Sequence, residues 1–257
     1  MAELKEQGRG AFIPFIVAGD PNMETTEQAI LALDRAGADV IELGVPYSDP
    51  LADGPTIQAA GTRALAAGCT LDKVIEVVRR VSPKIRAPII MFTYFNPIMR
   101  RGSERFCQQI KEAGASGLLV PDIPLEETGP VRQVATAAGL ELVLLTTPTT
   151  PTERMEAIAK VSQGFVYLVS VTGVTGQRVS MESRVEGLIQ SLHGITDKAV
   201  AVGFGVSGPD QAKQIMAWGA EGVIVGSALV KALGDAASPE EGLKQMEELA
   251  KSIREAI

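Results

Sequence analysis

The stretch "RAGADVIELGVPYSDPLADGP", residues 35–55, contains a helix end, a buried strand and a long polar loop. Its first glycine follows a helical pattern, as is common at helix C-termini, and the aliphatic run after it is typical of a buried strand. The same junction recurs in "EAGASGLLV" (112–120), "AAGLELVLL" (137–145) and "WGAEGVIVG" (218–226). A helix, a glycine and an apolar strand are therefore the repeated unit of this chain.

Eight apolar runs of this kind occur in order, and helical patterns lie between them. The runs are "AFIPFIVAG", "VIELGV", "PIIMFTY", "GLLVPD", "ELVLLTTP", "FVYLVSV", "AVAVGFGV" and "GVIVGSAL". Continuously apolar strands are expected in a parallel sheet that helices cover on one side and a barrel interior fills on the other. The pattern predicts an α/β fold, a single (β/α)8 TIM-type barrel over residues 1–257 with an extra N-terminal helix. An open doubly wound sheet is the alternative.

Composition excludes several classes of function. The chain has 46% hydrophobic residues and a formal net charge of −7, with scattered rather than clustered Lys and Arg, so no nucleic-acid partner is expected. No apolar run is long enough for a membrane span, and the charged start does not resemble a signal peptide, which favours the cytoplasm. The plastid stroma would apply to a plant protein whose transit peptide has been removed. One His and two distant Cys predict no metal site and no His-dependent nucleophile.

Two carboxylates and a tyrosine are the candidates for catalysis. Glu42 lies inside a buried strand, where an unpaired carboxylate is costly and has a raised pKa, so it can serve as a proton donor. Asp53 follows in the polar loop after that strand, and we expect it to be more exposed and to stay anionic. Tyr167, in the sixth strand, is a further polar group in an apolar run. A structural ion pair for Glu42, a loop-stabilising turn for Asp53 and a core position for Tyr167 are the alternatives.

Glycines follow the last three strands, where barrels commonly bind phosphate. The segments are "TGVTG" (172–176), "GFGVSG" (203–208) and "VGSAL" (225–229). Glycines let backbone N–H groups approach an anion, and the dipole of a short helix after strand 8 favours it. We therefore predict a phosphate site made of Gly176, Gly205, Gly226 and Ser227; tight turns without a ligand are the alternative. Aromatic residues of strands 1 and 3 (Phe15, Phe92 and Tyr94) are expected to line an adjoining pocket for an aromatic ring.

The motif "IELGVPYSDPLADGP" closely resembles the signature of the tryptophan synthase α-subunit family. The resemblance continues through "GAFIPFIVAGDP", "MFTYFNPI", "VYLVSVTGVTG", "GFGVS" and "GSALVK", and so covers the whole chain. It implies a (β/α)8 barrel that cleaves indole-3-glycerol phosphate to indole and glyceraldehyde 3-phosphate in L-tryptophan biosynthesis. In that family the catalytic acid corresponds to Glu42, the catalytic aspartate to Asp53 and a lid threonine to Thr175.

The resemblance also implies a partner. In the family, a β subunit that carries pyridoxal phosphate forms an α2β2 complex with this chain, which itself needs no cofactor. The loops after strands 2 and 3 face that partner, and they include Pro46, Asp49 and Asn96 here. A stand-alone indole-producing lyase, another phosphate-binding barrel enzyme and a non-catalytic binding subunit are the alternatives.

Overall fold

The computed structural model describes residues 1–170, 178–203 and 205–257, and it places the eight strands in one closed parallel barrel. Each strand pairs with the next along the chain, and the last pairs with the first. The strands are β1 Ala11–Val17, β2 Ile41–Gly44, β3 Ile89–Phe92, β4 Gly117–Leu119, β5 Glu141–Thr146, β6 Val166–Val169, β7 Val200–Gly203 and β8 Gly222–Val225. The prediction of a (β/α)8 barrel is confirmed.

Helices surround the barrel and cover the outer faces of the strands. They are α1 Ala2–Glu6, α2 Met23–Arg35, α3 Pro55–Ala66, α4 Leu71–Val81, α5 Phe95–Arg101, α6 Ser103–Ala113, α7 Thr128–Ala137, α8 Thr152–Val161, α9 Arg178–His193, α10 Pro209–Ala217, α11 Ser227–Gly234 and α12 Pro239–Arg254. Short 3₁₀ turns occupy Ser82–Lys84 and Leu125–Glu127. The N-terminal helix and the short helix after β8 are both where the sequence predicts them. No helix in the described part of the chain could cross a bilayer.

The backbone conformation explains why each of the repeated junctions contains a glycine. All of these junction glycines have positive φ, and this left-handed conformation closes a helix at little cost only when the residue has no Cβ. They are Gly37, Gly114, Gly139 and Gly219, with φ of 92°, 103°, 76° and 95°. The chain then enters the next strand directly, so the helix ends of the repeat are set by sequence.

The register of the paired strands places the candidate residues at the same height in the barrel. Glu42 pairs with Phe15 on one side and with Ile90 on the other. Laterally paired residues of a sheet project to the same face, so these three side chains share the barrel interior. Phe92 lies two residues beyond Ile90, and therefore also on the inner face, one step closer to the C-terminal mouth. Active sites of such barrels are built at that mouth.

The loop after β2 is anchored at its far end by a buried ion pair. Asp20, which follows β1, is 1% exposed and accepts two hydrogen bonds from Arg63 of α3, of 2.8 and 2.9 Å. A bidentate contact of this kind fixes geometry as well as charge. It holds α3, and with it the end of the loop that carries Asp53, against the first strand.

Candidate active site

Glu42 is enclosed in the barrel interior without a partner. Its side chain is fully buried, and neither carboxylate oxygen accepts a hydrogen bond from any described residue. Because burial disfavours the charged form, the pKa of Glu42 is raised to about 8. The group therefore keeps its proton at neutral pH, as a general acid must. The structure contains no ion pair for Glu42 within its described residues, which removes the support for the structural alternative.

Tyr167 of β6 is close enough to Glu42 for their charges to interact. Burial, and after it the charge of Glu42, raise the pKa of the Tyr167 hydroxyl well above its ordinary value. The ring fits because its neighbour on β7 is Gly203, where a methyl group would overlap the hydroxyl. Gly44 leaves space for the Phe15 ring in the same way, since a Cβ there would lie 2.7 Å from that ring. Two glycines at strand ends thus admit the rings around Glu42.

Asp53 is half-buried in the loop after β2, and burial raises its pKa to about 6. The hydroxyl of Tyr94 donates a hydrogen bond to the Asp53 carboxylate and so opposes this rise in the pKa. The same hydroxyl accepts a hydrogen bond of 2.9 Å from the backbone N–H of Ala52. Asp53 is more exposed than Glu42, as the sequence predicts, and its lower pKa leaves it ionised at neutral pH while Glu42 is protonated.

Two cavities meet at Asp53. The larger, of about 630 Å³, is lined mainly by apolar side chains from the ends of β4, β5 and β6. The smaller, of about 290 Å³, lies against the start of α11 and carries more polar groups. Asp53, Phe92 and Gly205 line both, so the two cavities adjoin. Their combined size suits a ligand of ordinary metabolite dimensions with one apolar end and one polar end.

The structure brings most of the predicted ligand-binding residues together at this mouth. Gly205, Gly226 and Ser227 line the smaller cavity, and Gly205 has a φ of 80° that favours glycine. Phe15 and Phe92 contact edge to face with ring centroids 5.2 Å apart. These positions agree with the predicted sites, whose function stays a prediction. Thr175 and Gly176 lie outside the described residues.

Tyr94 lines neither of the two adjoining cavities, but it lines a small space of about 20 Å³ together with Phe15, Phe92 and Asp53. Its hydroxyl is bonded beside Asp53, and its role in an aromatic pocket stays a prediction. The apolar wall that the sequence reasoning missed is formed by other strand ends, namely Val120, Pro121, Leu144, Leu145 and Val169. The rule that active-site residues follow barrel strands points to these strand ends in "GLLVPD", "ELVLLTTP" and "FVYLVSV", but it does not distinguish lining residues from ordinary core.

The loops after β2 and β3 form a separate surface. Pro46 and Asn96 line a shallow groove, and Asp49 is exposed beside it. The Asn96 amide donates a hydrogen bond of 2.8 Å to the Tyr47 hydroxyl, which ties the two loops together. Tyr47 in turn stacks on Tyr94, with ring centroids 5.1 Å apart.

This surface also contains the most exposed hydrophobic side chains of the described residues. Leu51 is 85% exposed and Met99 is 62% exposed, and each lies in one of the two loop regions. Leu65, the third exposed large hydrophobic residue among those described, lines the same groove as Pro46 and Asn96. Apolar side chains clustered on one surface are a common mark of a protein-binding site. Within the described residues, no group of three or more His, Cys, Asp or Glu side chains is placed to hold a metal ion.

Comparison with known proteins identifies a family. A family model described as "Tryptophan synthase alpha chain" matches residues 1–257. The tryptophan synthase alpha chain of a Picosynechococcus species is 61% identical over 254 residues, which cover 99% of this chain and 96% of the relative. That of Arabidopsis thaliana is 56% identical over 256 residues, which cover 100% of this chain and 93% of the relative.

Solved structures give the same result. Tryptophan synthase subunit alpha of Legionella pneumophila superposes with a TM-score of 0.91 at 36% identity, covering 100% of this chain and 95% of that one. A chain of the tryptophan synthase α2β2 complex of Pyrococcus furiosus, in a study of mutual activation, gives a TM-score of 0.89 at 38% identity. That match covers 95% of this chain and 97% of the other.

The raised pKa of Glu42 predicts a specific dependence of stability on pH. Between about pH 4.5 and pH 8 the folded state holds a proton that the unfolded state loses, so ionisation of Glu42 lowers the free energy of unfolding as pH rises. Glu42→Gln removes this ionisation while keeping the shape of the side chain. We expect the variant to gain stability relative to wild type by on the order of a few kcal/mol between pH 5 and pH 8.5.

Urea unfolding at a series of pH values measures this difference. Glu104→Gln on the exposed surface of α6 is the control, because it removes the same charge without changing a buried group. Stability curves of wild type and Glu42→Gln that run parallel over the whole range would contradict the assigned pKa.

Proposed function

This chain belongs to the tryptophan synthase alpha chain family and is an indole-3-glycerol-phosphate lyase, and we propose that Glu42 and Asp53 are its catalytic residues. The observation that carries the proposal is the difference between two carboxyl groups near the mouth of the barrel, one buried in strand β2 and one in the loop that follows it. Burial raises the pKa of Glu42 to about 8, whereas that of Asp53 is about 6. Between these values one group donates a proton while the other carries a negative charge, which is the division of roles that the cleavage needs.

The reaction breaks the bond between C3 of indole and the glycerol chain. Indole leaves poorly as a carbanion, so the ring is first protonated at C3, which creates a cationic indolenine. Glu42 supplies this proton, and the anionic Asp53 stabilises the developing positive charge on the ring N–H. The adjacent glycerol hydroxyl then loses its proton as the carbon–carbon bond breaks, giving indole and glyceraldehyde 3-phosphate. Ionised Glu42 is the base that we assign to this last proton.

Glu42 is fully buried, so its carboxyl group has to move in order to reach the substrate. It lines neither cavity among the described residues, but its paired neighbour Phe15 and its electrostatic neighbour Tyr167 both line the smaller one. We propose that a change in the Glu42 side-chain torsions brings the carboxyl group to the smaller cavity. Tyr167 is the group next to Glu42 that we propose to position it.

The substrate has one orientation that matches the two cavities. The indole ring fits the larger apolar cavity, where Asp53 at the boundary meets its N–H group, and the phosphate fits the smaller one. There Gly226 and Ser227 offer backbone N–H groups at the start of α11, where the helix dipole favours an anion, and Gly205 offers one from the loop after β7. Thr175 and Gly176 stay predictions as lid and phosphate residues.

We propose that the surface of the loops after β2 and β3 binds a tryptophan synthase β chain in an α2β2 complex. The exposed Leu51 and Met99 support this docking site, and the related Pyrococcus furiosus protein forms such a complex. Pyridoxal phosphate belongs to the β chain, and the alpha chain carries no cofactor of its own. Pro46, Asp49 and Asn96 are the proposed contact residues, and the cytoplasm, or the plastid stroma for a plant protein, is the proposed location.

Loss of either carboxylate tests the catalytic assignment. Removing the proton donor in Glu42→Gln, or the electrostatic partner of the ring in Asp53→Asn, should lower kcat for indole release by about 100-fold or more. The assay follows indole formed from indole-3-glycerol phosphate, with Glu104→Gln as the control. Turnover near the wild-type value in either variant would remove that residue from the mechanism.

The Tyr94 hydroxyl should set the acidic limb of the pH profile. It stabilises ionised Asp53, so Tyr94→Phe raises the pKa of Asp53 above about 6 and moves the acidic limb of kcat/KM to higher pH. A shift of about half a pH unit or more is expected. Tyr47→Phe is a matched control, because it removes the hydroxyl of the stacked neighbour, which bonds to Asn96 and not to Asp53. Equal profiles for the two variants would contradict this role of Tyr94.

The docking surface can be tested by charge insertion. Met99→Asp places a carboxylate where an apolar side chain would be buried, and should weaken binding to the β chain by about tenfold or more. Lys244→Asp on the exposed face of α12 is the control. Titration calorimetry measures the affinity, and the indole assay with and without the β chain measures activation. Fast turnover that the β chain does not change would favour the stand-alone lyase.

A further inference from the structure

Lys231 places a free cation in the smaller cavity. It is the one Lys or Arg among the described residues that line this cavity, where Asp53 is the other charged residue. Its ammonium group has no ion pair or hydrogen bond with any described residue. The nearest acidic residue on the same helix end, Asp235, interacts instead with Arg63. The charge of Lys231 is therefore available to a ligand.

The position of Lys231 on α11 directs its side chain toward the start of the helix. It follows Ser227 by one helical turn, so the two residues lie on the same face. Side chains on a helix lean toward its N-terminus, and the long stem of Lys231 consequently covers the first turn. Lysine can pack this stem along a cavity wall while its ammonium group remains hydrated. The residue is exposed overall and still lines the cavity, as this geometry requires.

The cation is separate from the two catalytic carboxylates. Burial and the Tyr94 hydroxyl set the pKa of Asp53, and burial alone sets the pKa of Glu42, so Lys231 neutralises neither group. The cavity thus has an anionic end at Asp53 and a cationic end at Lys231. A substrate with a dianionic phosphate must enter a protein of formal net charge −7 and bind next to an ionised aspartate. Backbone N–H groups supply partial charges only, whereas Lys231 supplies a full one.

We propose that Lys231 binds the phosphate of the substrate and selects for a dianionic group at that end of the cavity. The inference rests on the proposed function of the smaller cavity as the phosphate site. Lys231 acts on substrate binding and not on the bond-breaking step, because its charge is not among the causes that shift the pKa of either carboxyl group. Its effect should therefore appear in KM and in the affinity for phosphate esters, and not in kcat.

Substitution of Lys231 in the full chain tests this role. In Lys231→Gln, KM for indole-3-glycerol phosphate should rise about tenfold at low salt while kcat stays within about twofold. Lys231→Arg keeps the charge and should restore most of the affinity. Lys244→Gln on α12 is the matched control, because it removes the same charge from an exposed position remote from the cavity. Rising ionic strength should weaken the wild type more than Lys231→Gln.

Two further measurements separate this role from a general structural effect. Indole-3-glycerol without its phosphate should have the same KM in wild type and Lys231→Gln, since no dianion is present. Direct calorimetric binding of sn-glycerol 3-phosphate should weaken in Lys231→Gln and recover in Lys231→Arg. This binding measurement needs no turnover, so it gives a result even where the catalytic assignment of Glu42 and Asp53 fails. Equal KM values and equal binding of sn-glycerol 3-phosphate in Lys231→Gln and Lys244→Gln would overturn the proposal.

Discussion

Burial of one unpaired carboxyl group inside the barrel is the constraint on which the site depends. An isolated carboxylate in an apolar interior is too costly to keep, so Glu42 takes up a proton, and the fold accepts a buried polar group whose oxygens have no hydrogen-bond partner among the described residues. The surrounding strands enclose the Glu42 carboxyl group and so make its burial possible. Gly44 and Gly203 lack side chains where the rings of Phe15 and Tyr167 pack, and these rings exclude water from the carboxyl group. The raised pKa of Glu42 is therefore caused by burial inside the barrel and not by a charged neighbour.

The same constraint explains why the site needs a second carboxylate of different character. A protonated acid can donate but cannot stabilise a cation, so the positive charge that forms on the ring requires a separate anion. In the proposed mechanism Asp53 fulfils this condition, because burial is incomplete in its loop and the Tyr94 hydroxyl favours the ionised form. The two pKa values of about 8 and about 6 define a narrow range around neutrality in which both groups have the required state.

Sequence alone predicted the repeated unit, the closed barrel and the positions of both carboxylates, because each depends on local rules. The glycine after a helix and the continuous apolar strand are visible within ten residues, and a carboxylate inside such a strand is conspicuous. The position of Tyr94 was harder to predict. Its role follows from where the loop after β2 folds back on β3, a contact between residues 52 and 94 that no periodicity reveals. The apolar wall at Leu144 and Leu145 was missed because hydrophobic strand ends do not differ in sequence from ordinary core.

Tyr94 also connects the surface of the loops after β2 and β3, the proposed docking site, with Asp53. Its hydroxyl bonds to Asp53, its ring stacks on Tyr47 at an interplanar angle of 29°, and the Tyr47 hydroxyl accepts a hydrogen bond from Asn96. These contacts form a continuous series from Asn96 through Tyr47 and Tyr94 to Asp53. The hydrogen bond that lowers the pKa of Asp53 therefore depends on the position of a ring that packs against the loop after β2, and not only on the barrel itself.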